Sequence, residues 1–362
     1  MSQIIVGARA PSNIAIVKYM GRQDGATNIP ENPSLSLTLN RLCSYVEITC
    51  SDAPDSDEVA WAPELPLLWS GYADLKLRIP SLDDEGIDRF LRHFKWAHDA
   101  TPAILSKYGV PVAAHPLKAR SYLIRSGNTF PASAGIASSA ASFAALTLAT
   151  AMTRAGDQAA FDRAWDSETG LRRELAGLSR QGSGSSCRSF EGPWAGWERE
   201  HAFKLDASTP KLAHFVLLVS DAAKKVSSSA AHQLVKGSPL WAGRVERAGA
   251  RFEQARKALV EGDLARLARI AWGETWEMHS LFHTAPEPFS YWQPRTIEIL
   301  QWLSAFVNEP EPPVVSMDAG PNVHLIVAAT RADFWRDLLI ERHGRDSVLE
   351  DEPGGGAAPV RR

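Results

Sequence analysis

A chain of 362 residues is long enough to form two domains, each with its own hydrophobic core. Its hydrophobic fraction of 44%, charged fraction of 22% and formal net charge of -3 are typical of a globular protein and exclude the strongly basic surface of a nucleic-acid-binding protein. Because no apolar run has the length of a membrane span, and the three cysteines form neither a disulfide framework nor a CxxC motif, we expect a cytoplasmic protein without membrane contact.

The first 50 residues predict paired strands around a loop. Ile4 to Ala8 is apolar, and Leu35 to Leu39 and Cys43 to Cys50 alternate apolar with polar residues, the period of a half-buried strand. The loop between them carries Lys18 and Arg22 on either side of a glycine. A point charge and a fork-shaped cation suit an anionic ligand, although a solvated loop explains the same residues.

The segment Glu85 to Tyr108 predicts an amphipathic helix, because its apolar residues recur with the spacing i, i+3, i+4, i+7. Its opposite face carries four basic residues, which are Arg89, Arg92, His93 and Lys95. These side chains could help to hold a nucleotide, but a charged face opposite an apolar stripe is more often simply solvated.

Small residues and hydroxyls lead into an apolar helix at 131–152. Gly135, Ala137, Ser138 and Ser139 lie where this loop meets the helix N-terminus. The first amides of a helix have no intrahelical partner and carry partial positive charge, so such a loop can bind phosphate oxygens. A capped helix with closely packed small residues is the alternative. Apolar residues fall on all sides of the helix, which predicts that it is buried.

A second run of glycine and serine follows a helical pattern at 161–179. Alternating glycine and serine lets the backbone approach an anion while hydroxyls donate hydrogen bonds, and an arginine adds a bidentate cation. The residues that could contact the anion are Ser183, Gly184, Ser185 and Arg188. A flexible linker is the alternative, although the run is short and aromatic residues follow it.

A buried strand at His214 to Ser220 precedes a loop rich in lysine and serine. The pattern predicts one or two long helices in Leu240 to Ala271 and another helix in Trp272 to His283. His279 and His283 are four residues apart and would share a helix face, as zinc ligands often do. No third ligand motif accompanies them, so we do not expect a metal site there.

Two further apolar strands are predicted in Val314 to Ala329, and Asp318 stands before the Gly-Pro turn between them. A carboxylate at this position would face a cleft, although from these residues alone a turn-forming aspartate is the preferred explanation. A last helix begins near Ala332, and the glycine-rich residues 349–362 predict a disordered tail.

Five strings of the sequence resemble, in the same order, motifs of the GHMP kinase superfamily and of its diphosphomevalonate decarboxylase branch. The string at 131–140 resembles the superfamily's phosphate loop, Pro-x-x-x-Gly-Leu-x-Ser-Ser-Ala. The strings at 13–39, 180–189, 224–232 and 318–322 resemble the motifs of the decarboxylases, among them Arg-x-Gly-Ser-Gly-Ser-Ala-Cys-Arg-Ser and Asp-Ala-Gly-Pro-Asn.

Single residues depart from these motifs. Met20 replaces the usual tryptophan, Arg22 replaces the usual lysine, and Ala137 stands where many members have a second glycine. Ser229 and His232 also differ from the pattern. Four of these departures lie in or beside the substrate motifs, so the choice of substrate could differ here.

The resemblance implies an α+β architecture, the GHMP kinase fold, with the active site between two domains. It places a ribosomal protein S5 domain 2-like domain at 1–200 and a ferredoxin-like domain at 201–348. It also implies a homodimer.

The implied reaction is the ATP-dependent decarboxylation of mevalonate 5-diphosphate to isopentenyl diphosphate, a step of isoprenoid biosynthesis. By the resemblance, Asp318 orients or deprotonates the C3 hydroxyl, Lys18 neutralises charge beside it, and Arg188 holds the substrate carboxylate. The residues expected around the substrate's diphosphate are Tyr19, Arg22, Ser183, Gly184 and Ser185. The residues expected around ATP are Gly135, Ala137, Ser138, Ser139 and Ser228. Mg²⁺ accompanies ATP, with Ser139 as its candidate ligand.

Two alternatives remain open from the sequence. A related GHMP enzyme could phosphorylate, or decarboxylate, another mevalonate phosphate. The other is a catalytically silent nucleotide-binding homologue. Such a protein would be recognised by loss of the catalytic carboxylate or of the cations, whereas Lys18, Arg188 and Asp318 are all present.

Overall fold

The computed structural model describes residues 3–23, 27–52, 58–65, 75–113, 120–130, 138–220, 222 and 225–361. Within these residues the strands are β1 (Gln3–Val17), β2 (Ser34–Asp52), β3 (Val59–Ala62), β4 (Arg120–Asn128), β5 (Trp194–Glu198), β6 (His201–Lys204), β7 (Leu212–Leu217), β8 (Val314–Ser316), β9 (Val323–Ala328), β10 (Val348–Asp351) and β11 (Ala358–Val360). The α-helices are α1 (Asp84–Lys107), α2 (Ser138–Arg154), α3 (Gln158–Ser167), α4 (Thr169–Gly182), α5 (Ser228–Leu234), α6 (Arg244–Glu261), α7 (Leu264–His283), α8 (Pro294–Leu303) and α9 (Ala332–His343).

The first sheet has the order β11-β1-β2-β4-β3, and β5 and β6 extend it from β2. The long strands β1 and β2 pair antiparallel from Gln3↔Ser51 to Val17↔Leu35. Helices α1, α2 and α4 cover one face, where Phe94 and Leu171 pack with strand residues such as Val46. Helix α2 is buried on most sides, which confirms the prediction from its all-round apolar pattern.

The second sheet has the order β10-β7-β9-β8 and lies between two layers of helices. Alternate residues of β7 face opposite sides, as the period of a strand requires. Val216 packs in the core formed with α6 and α7, whereas Phe215 packs in the core formed with α8 and α9. The first of these cores also contains Ile14 and Leu37 of the first sheet, so the two sheets share hydrophobic packing at the end of β1.

Two predictions of local structure need correction. The boundary predicted at Trp272 is wrong, because α7 runs through that residue from Leu264 to His283. Of the one or two helices predicted before it, the structure shows a break at Gly262, which has a φ of +70° and ends α6 in the left-handed conformation. Residues 349–361 are not a disordered tail. Part of this segment forms β10 and β11, because the edge of β7 and the edge of β1 each offer backbone hydrogen-bonding groups to it.

The boundary drawn at residue 200 stays a prediction; the first sheet continues to Lys204 in β6. None of the helices in the described residues has the length and apolar composition needed to cross a bilayer.

Candidate active site

A cavity of about 430 Å³ opens where the end of β1 meets the second sheet. Its lining comes from segments far apart in sequence, namely the residues after β1, the start of α2, the residues after α4, the start of α5 and the residues after β8. The predicted site residues in this lining are Lys18, Tyr19, Arg22, Ser138, Ser139, Ser183, Gly184, Ser185, Arg188, Ser228 and Asp318.

Lys18 and Asp318 meet in the cavity although 300 positions separate them. Lys18 directly follows β1, and its Nζ donates to Asp318 Oδ1 at 2.9 Å, to Ser316 Oγ at 2.7 Å and to the Ala15 carbonyl at 2.6 Å. All three ammonium hydrogens therefore have acceptors. The Lys18 side chain is 2% exposed, whereas that of Asp318 is 24% exposed, so the carboxylate is the member of the pair that a ligand can reach.

The charge of Lys18 depends on its neighbours. Burial lowers the pKa of its amine, and the carboxylates of Asp318 and Glu274 oppose that effect. A charged ammonium in this position would offset negative charge on an adjacent reacting group.

Arg188 is a buried cation held by neutral acceptors. Its Nε donates to Asn13 Oδ1 at 3.2 Å and to Ser36 Oγ at 3.0 Å, and its Nη1 donates to Ser34 Oγ at 2.8 Å. Among the described residues no carboxylate forms an ion pair with it, and burial lowers the pKa of its guanidinium. A buried cation without a bound counter-ion that lines a cavity is suited to an anionic ligand.

The glycine-serine run bends from α4 into a 3₁₀ helix, Gly184–Phe190, at the cavity wall. A Cβ on Gly184 would lie 2.6 Å from the ring of Tyr19, so only glycine permits this approach of the two segments. Ser183 Oγ lies 3.2 Å from Ser139 Oγ at the start of α2. The predicted phosphate loop and the predicted substrate loop therefore adjoin.

Ser138 and Ser139 are the first two residues of α2, and both line the cavity. Gly135 and Ala137 lie outside the described residues, so their contacts with a nucleotide stay a prediction. Ser228 is the first residue of α5, and it faces the cavity together with Ser227 and Ser229.

The four departures in or beside the substrate motifs, which are Met20, Arg22, Ser229 and His232, all line the cavity. Arg22 Nη1 donates to Asn28 Oδ1 at 2.9 Å, and the ring of Tyr19 packs against His232 with centroids 4.3 Å apart. His232 Nδ1 accepts a hydrogen bond from the Gly21 amide at 3.0 Å, which leaves the hydrogen on Nε2. Burial lowers the pKa of His232 to about 3, so its ring is neutral.

Other lining residues were less visible in the sequence. Arg89 of α1 is in the lining and donates to the Gly182 carbonyl at 2.5 Å, so one of the four basic residues of that helix does reach the cavity. Asn28 also lines it, and no motif marked that residue. In the described part of the chain, no group of three or more histidine, cysteine or acidic residues is arranged to hold a metal ion. His279 instead stacks on Trp292 with centroids 4.9 Å apart.

Family models match both halves of the chain. Residues 10–209 match the diphosphomevalonate decarboxylase-like N-terminal domain, and residues 214–350 match the mevalonate 5-diphosphate decarboxylase C-terminal domain. The diphosphomevalonate decarboxylase of Saccharomyces cerevisiae is 31% identical over 352 residues, covering 91% of this chain and 79% of the relative. That of Rattus norvegicus is 28% identical over 349 residues, covering 91% of this chain and 79% of the relative.

Solved structures show the same fold. A mevalonate diphosphate decarboxylase from Legionella pneumophila superposes with a TM-score of 0.73 at 35% identity, covering 96% of this chain and 100% of that chain. One from Staphylococcus aureus superposes with a TM-score of 0.77 at 24% identity, covering 99% of each chain. A third, described as MDDEF in complex with MVAPP, AMPPCP and magnesium, has a TM-score of 0.77 at 23% identity and covers 100% of both chains. The predicted α+β GHMP architecture is confirmed.

Proposed function

This chain belongs to the diphosphomevalonate decarboxylase family, and from that membership we propose that it catalyses the ATP-dependent decarboxylation of mevalonate 5-diphosphate. The products are isopentenyl diphosphate, ADP, phosphate and carbon dioxide. One observation carries the assignment to this cavity: Lys18, Asp318 and Arg188 line it together with serines from the starts of α2 and α5. The presence of the acid and both cations argues against a catalytically silent homologue.

The reaction begins with phosphoryl transfer from ATP to the C3 hydroxyl of the substrate. Such a transfer requires mainly alignment and charge neutralisation from the protein. Asp318 accepts the hydrogen bond or the proton of the attacking hydroxyl, and Lys18, 2.9 Å from Asp318, stabilises the charges around it. The C3–O bond then breaks as phosphate leaves. The electrons of the bond to the carboxylate form the carbon–carbon double bond, and carbon dioxide departs.

The two ends of the substrate need different partners. Arg188 holds the carboxylate, because it is the buried cation whose partners in the described residues are neutral. The residues assigned to the diphosphate are Tyr19, Arg22, Ser183, Gly184 and Ser185. The residues assigned to ATP are Gly135, Ala137, Ser138, Ser139 and Ser228.

Mg²⁺ is the metal that accompanies ATP in this reaction. The cavity offers hydroxyl oxygens in number but, among the described lining residues, a single carboxylate, and that one is paired with Lys18. This donor set fits a cation held mainly by phosphates and water, with the Ser139 hydroxyl as its protein ligand. When bound, the ion neutralises charge on the transferred phosphoryl group.

The quaternary and cellular context is also part of the proposal. The family resemblance supports a homodimer with domains at 1–200 and 201–348, and the cysteine usage supports a cytoplasmic location. Sedimentation of the purified protein tests the dimer.

The experiment that tests the function is a substrate scan. Mevalonate, its 5-phosphate and its 5-diphosphate are each incubated with ATP and Mg²⁺, and both ADP and carbon dioxide are measured. Equal yields of ADP and carbon dioxide from the 5-diphosphate alone support the proposal. ADP without carbon dioxide identifies a kinase. Carbon dioxide from another phosphate identifies a change of specificity, for which Met20, Arg22, Ser229 and His232 are the positions to vary next.

A further inference from the structure

A buried carboxylate that no motif predicted contacts the backbone of Lys18. Glu274 of α7 is fully buried, and its Oε1 accepts a hydrogen bond from the backbone amide of Lys18 at 3.0 Å. Arg244 of α6 donates to both carboxylate oxygens, through Nη1 to Oε2 at 2.9 Å and through Nη2 to Oε1. Arg251 adds a further hydrogen bond to Oε2 at 2.9 Å.

This ion pair is costly as a purely structural element. Taking two charges out of water carries a large desolvation penalty, and replacing such a pair by well-packed apolar residues is often neutral or stabilising. The side chains of Arg244 and Glu274 are both 0% exposed, so water does not solvate either charge and does not reduce the desolvation penalty. The pair connects α6 and α7 to the residue that follows β1, which is the residue carrying the buried amine of the cavity.

Lys18 is consequently held on every side. Glu274 accepts from its amide, Asn32 Nδ2 donates to its carbonyl at 2.9 Å, and its ammonium has three acceptors that include Asp318. A backbone fixed at both its amide and its carbonyl keeps the amine at one position relative to Asp318.

The charged and titratable groups that face Lys18 come from several elements, namely Asp318, Glu274, Arg188, His279 and His324. Burial lowers the pKa of His324 to about 3 and that of His279 far below its usual value, so both rings are neutral near pH 7. The negative charge around Lys18 therefore comes from Asp318 and Glu274. Arg188 opposes it.

We infer that Glu274, held in place by Arg244, is a positioning residue for the reaction: it fixes the backbone of Lys18 and places a second negative charge near its amine. This inference rests on the proposed function, in which Lys18 acts as an ammonium beside Asp318. It assigns a functional reason to an ion pair that contacts neither the substrate nor the cavity.

Glu274→Gln is the variant that tests it, because glutamine keeps a carbonyl oxygen for the Lys18 amide. It loses the charge, and its amide nitrogen cannot accept the hydrogen bonds that Arg244 and Arg251 donate to Oε2. With that charge removed, the pKa of Lys18 falls further, so the ammonium is lost at lower pH. The alkaline limb of the pH profile of kcat moves to lower pH, and kcat at its maximum falls by roughly 10- to 100-fold, the range expected for a displaced catalytic group. KM for both substrates stays within about threefold, since Glu274 touches neither ligand.

Glu277→Gln is the matched control. Glu277 lies one turn away on α7 and pairs with the same arginines, Arg244 and Arg251, but has no contact with Lys18. Its kcat and pH profile remain at wild-type values. A double variant, Glu274→Gln with Arg244→Met, removes both buried charges together. It replaces the single variant in the test if the unpaired charge of Arg244 prevents Glu274→Gln from folding.

Wild-type turnover of mevalonate 5-diphosphate is measured first, and its absence would contradict the proposed function, not this inference. Given that turnover, a reduced kcat and a shifted alkaline limb in Glu274→Gln or in the double variant, but not in Glu277→Gln, support the inference. Unchanged kcat and pH profile overturn it, as does an equal effect in Glu277→Gln. Failure of both Glu274 variants to fold, while Glu277→Gln folds, shows that the pair serves the fold alone and also overturns it.

Discussion

At the scale of single residues, the cavity combines buried cations with one reachable carboxylate. Lys18 and Arg188 are buried, and each is held by several hydrogen bonds within the protein. Side chains held in this way do not have to reorganise when charge develops on a ligand, so their electrostatic effect is larger than in water. Asp318 is partly exposed to the cavity and is therefore the group placed to exchange a proton with the substrate.

Asp318→Asn is expected to abolish product formation while ATP still binds. Asparagine preserves the size of the side chain but cannot take a proton, and it removes the negative charge that most strongly supports the ammonium of Lys18. We expect a fall in kcat on the order of 10³-fold or more. Turnover is measured by release of carbon dioxide and ATP affinity by calorimetry. Asp333→Asn, at an exposed position of α9, is the control, and turnover of Asp318→Asn near the wild-type value would refute the assigned role.

Arg188→Ala is expected to lower kcat/KM by at least about 10²-fold, because it removes a preorganised charge contact with the substrate carboxylate. It also leaves Ser34, Ser36 and Asn13 without their buried donor. Arg188→Lys restores the charge but not the fork geometry, so it recovers only part of the lost activity. Both variants are checked for folding by circular dichroism. Activity of the alanine variant within about threefold of wild type would contradict the role of Arg188.

At the scale of elements, strand β1 and the C-terminal segment organise the molecule. The middle of β1, Gly7 to Arg9, pairs with β11, and the C-terminal end of β1 leads into Lys18 against the second sheet. The C-terminal segment passes from β10 in the second sheet to β11 in the first, so it connects both sheets. Asp351, at the end of β10, accepts hydrogen bonds from the backbone amides of four residues, which are Asn40, Arg41, Leu42 and Glu352.

Asp351→Ala is expected to destabilise the fold by about 2–4 kcal/mol. The substitution leaves backbone amides of β2, those of Arg41 and Leu42, without their acceptor. The free energy of unfolding is measured in urea. Asp346→Ala, at an exposed position near the same strand, is the control and changes stability by less than about 0.5 kcal/mol. Equal stability of the two variants would show that the junction does not depend on this carboxylate.

At the scale of the whole molecule, the core contains an unusual set of buried histidines. The members share a pKa lowered by burial, and they are His93, His214, His232, His279 and His324. His214 and His324 hydrogen-bond each other at 3.0 Å between β7 and β9. Each ring is neutral in the folded protein but binds a proton near pH 6.5 once unfolded. The unfolded state therefore binds more protons below that pH, and the folded state loses stability as pH falls.

His93→Gln tests this account at one position. The folded pKa of His93 is about 3, below its unfolded value, so its contribution is present above about pH 6.5 and is lost on acidification toward pH 3. Each such group adds about 1.4 kcal/mol per pH unit to the acid dependence of the unfolding free energy. In the wild type, His93 Nε2 lies 2.8 Å from Thr147 Oγ1. Glutamine keeps a hydrogen-bonding partner for Thr147 but has no group that titrates. Urea unfolding between pH 7 and pH 4.5 should show a shallower slope for His93→Gln, and the same slope as wild type for the exposed His201→Gln.

Local patterns predicted much of this protein. Short-range periodicity predicts the buried helix α2 and the amphipathic helix α1, and turn chemistry predicts the Gly-Pro turn that contains Gly320. The five motifs were sufficient to indicate the family. The helix boundary predicted at Trp272 was wrong for a local reason. A left-handed glycine, Gly262, ends α6, and apolar spacing alone does not mark that position.

The amino-acid sequence by itself determined the chemical groups of the site and the local elements that carry them, because periodicity, turns and motifs are properties of neighbouring residues. The family resemblance already placed Lys18 and Asp318 at one site. Only the tertiary structure decided that the C-terminal segment completes two sheets, and that Glu274 holds the backbone amide of Lys18. These contacts join residues far apart in the sequence: 256 positions separate Lys18 from Glu274, and Gly7 pairs with Val360. They form because the two sheets share a hydrophobic core, whose packing brings β1, α7 and β8 together, and no short-range pattern encodes that meeting.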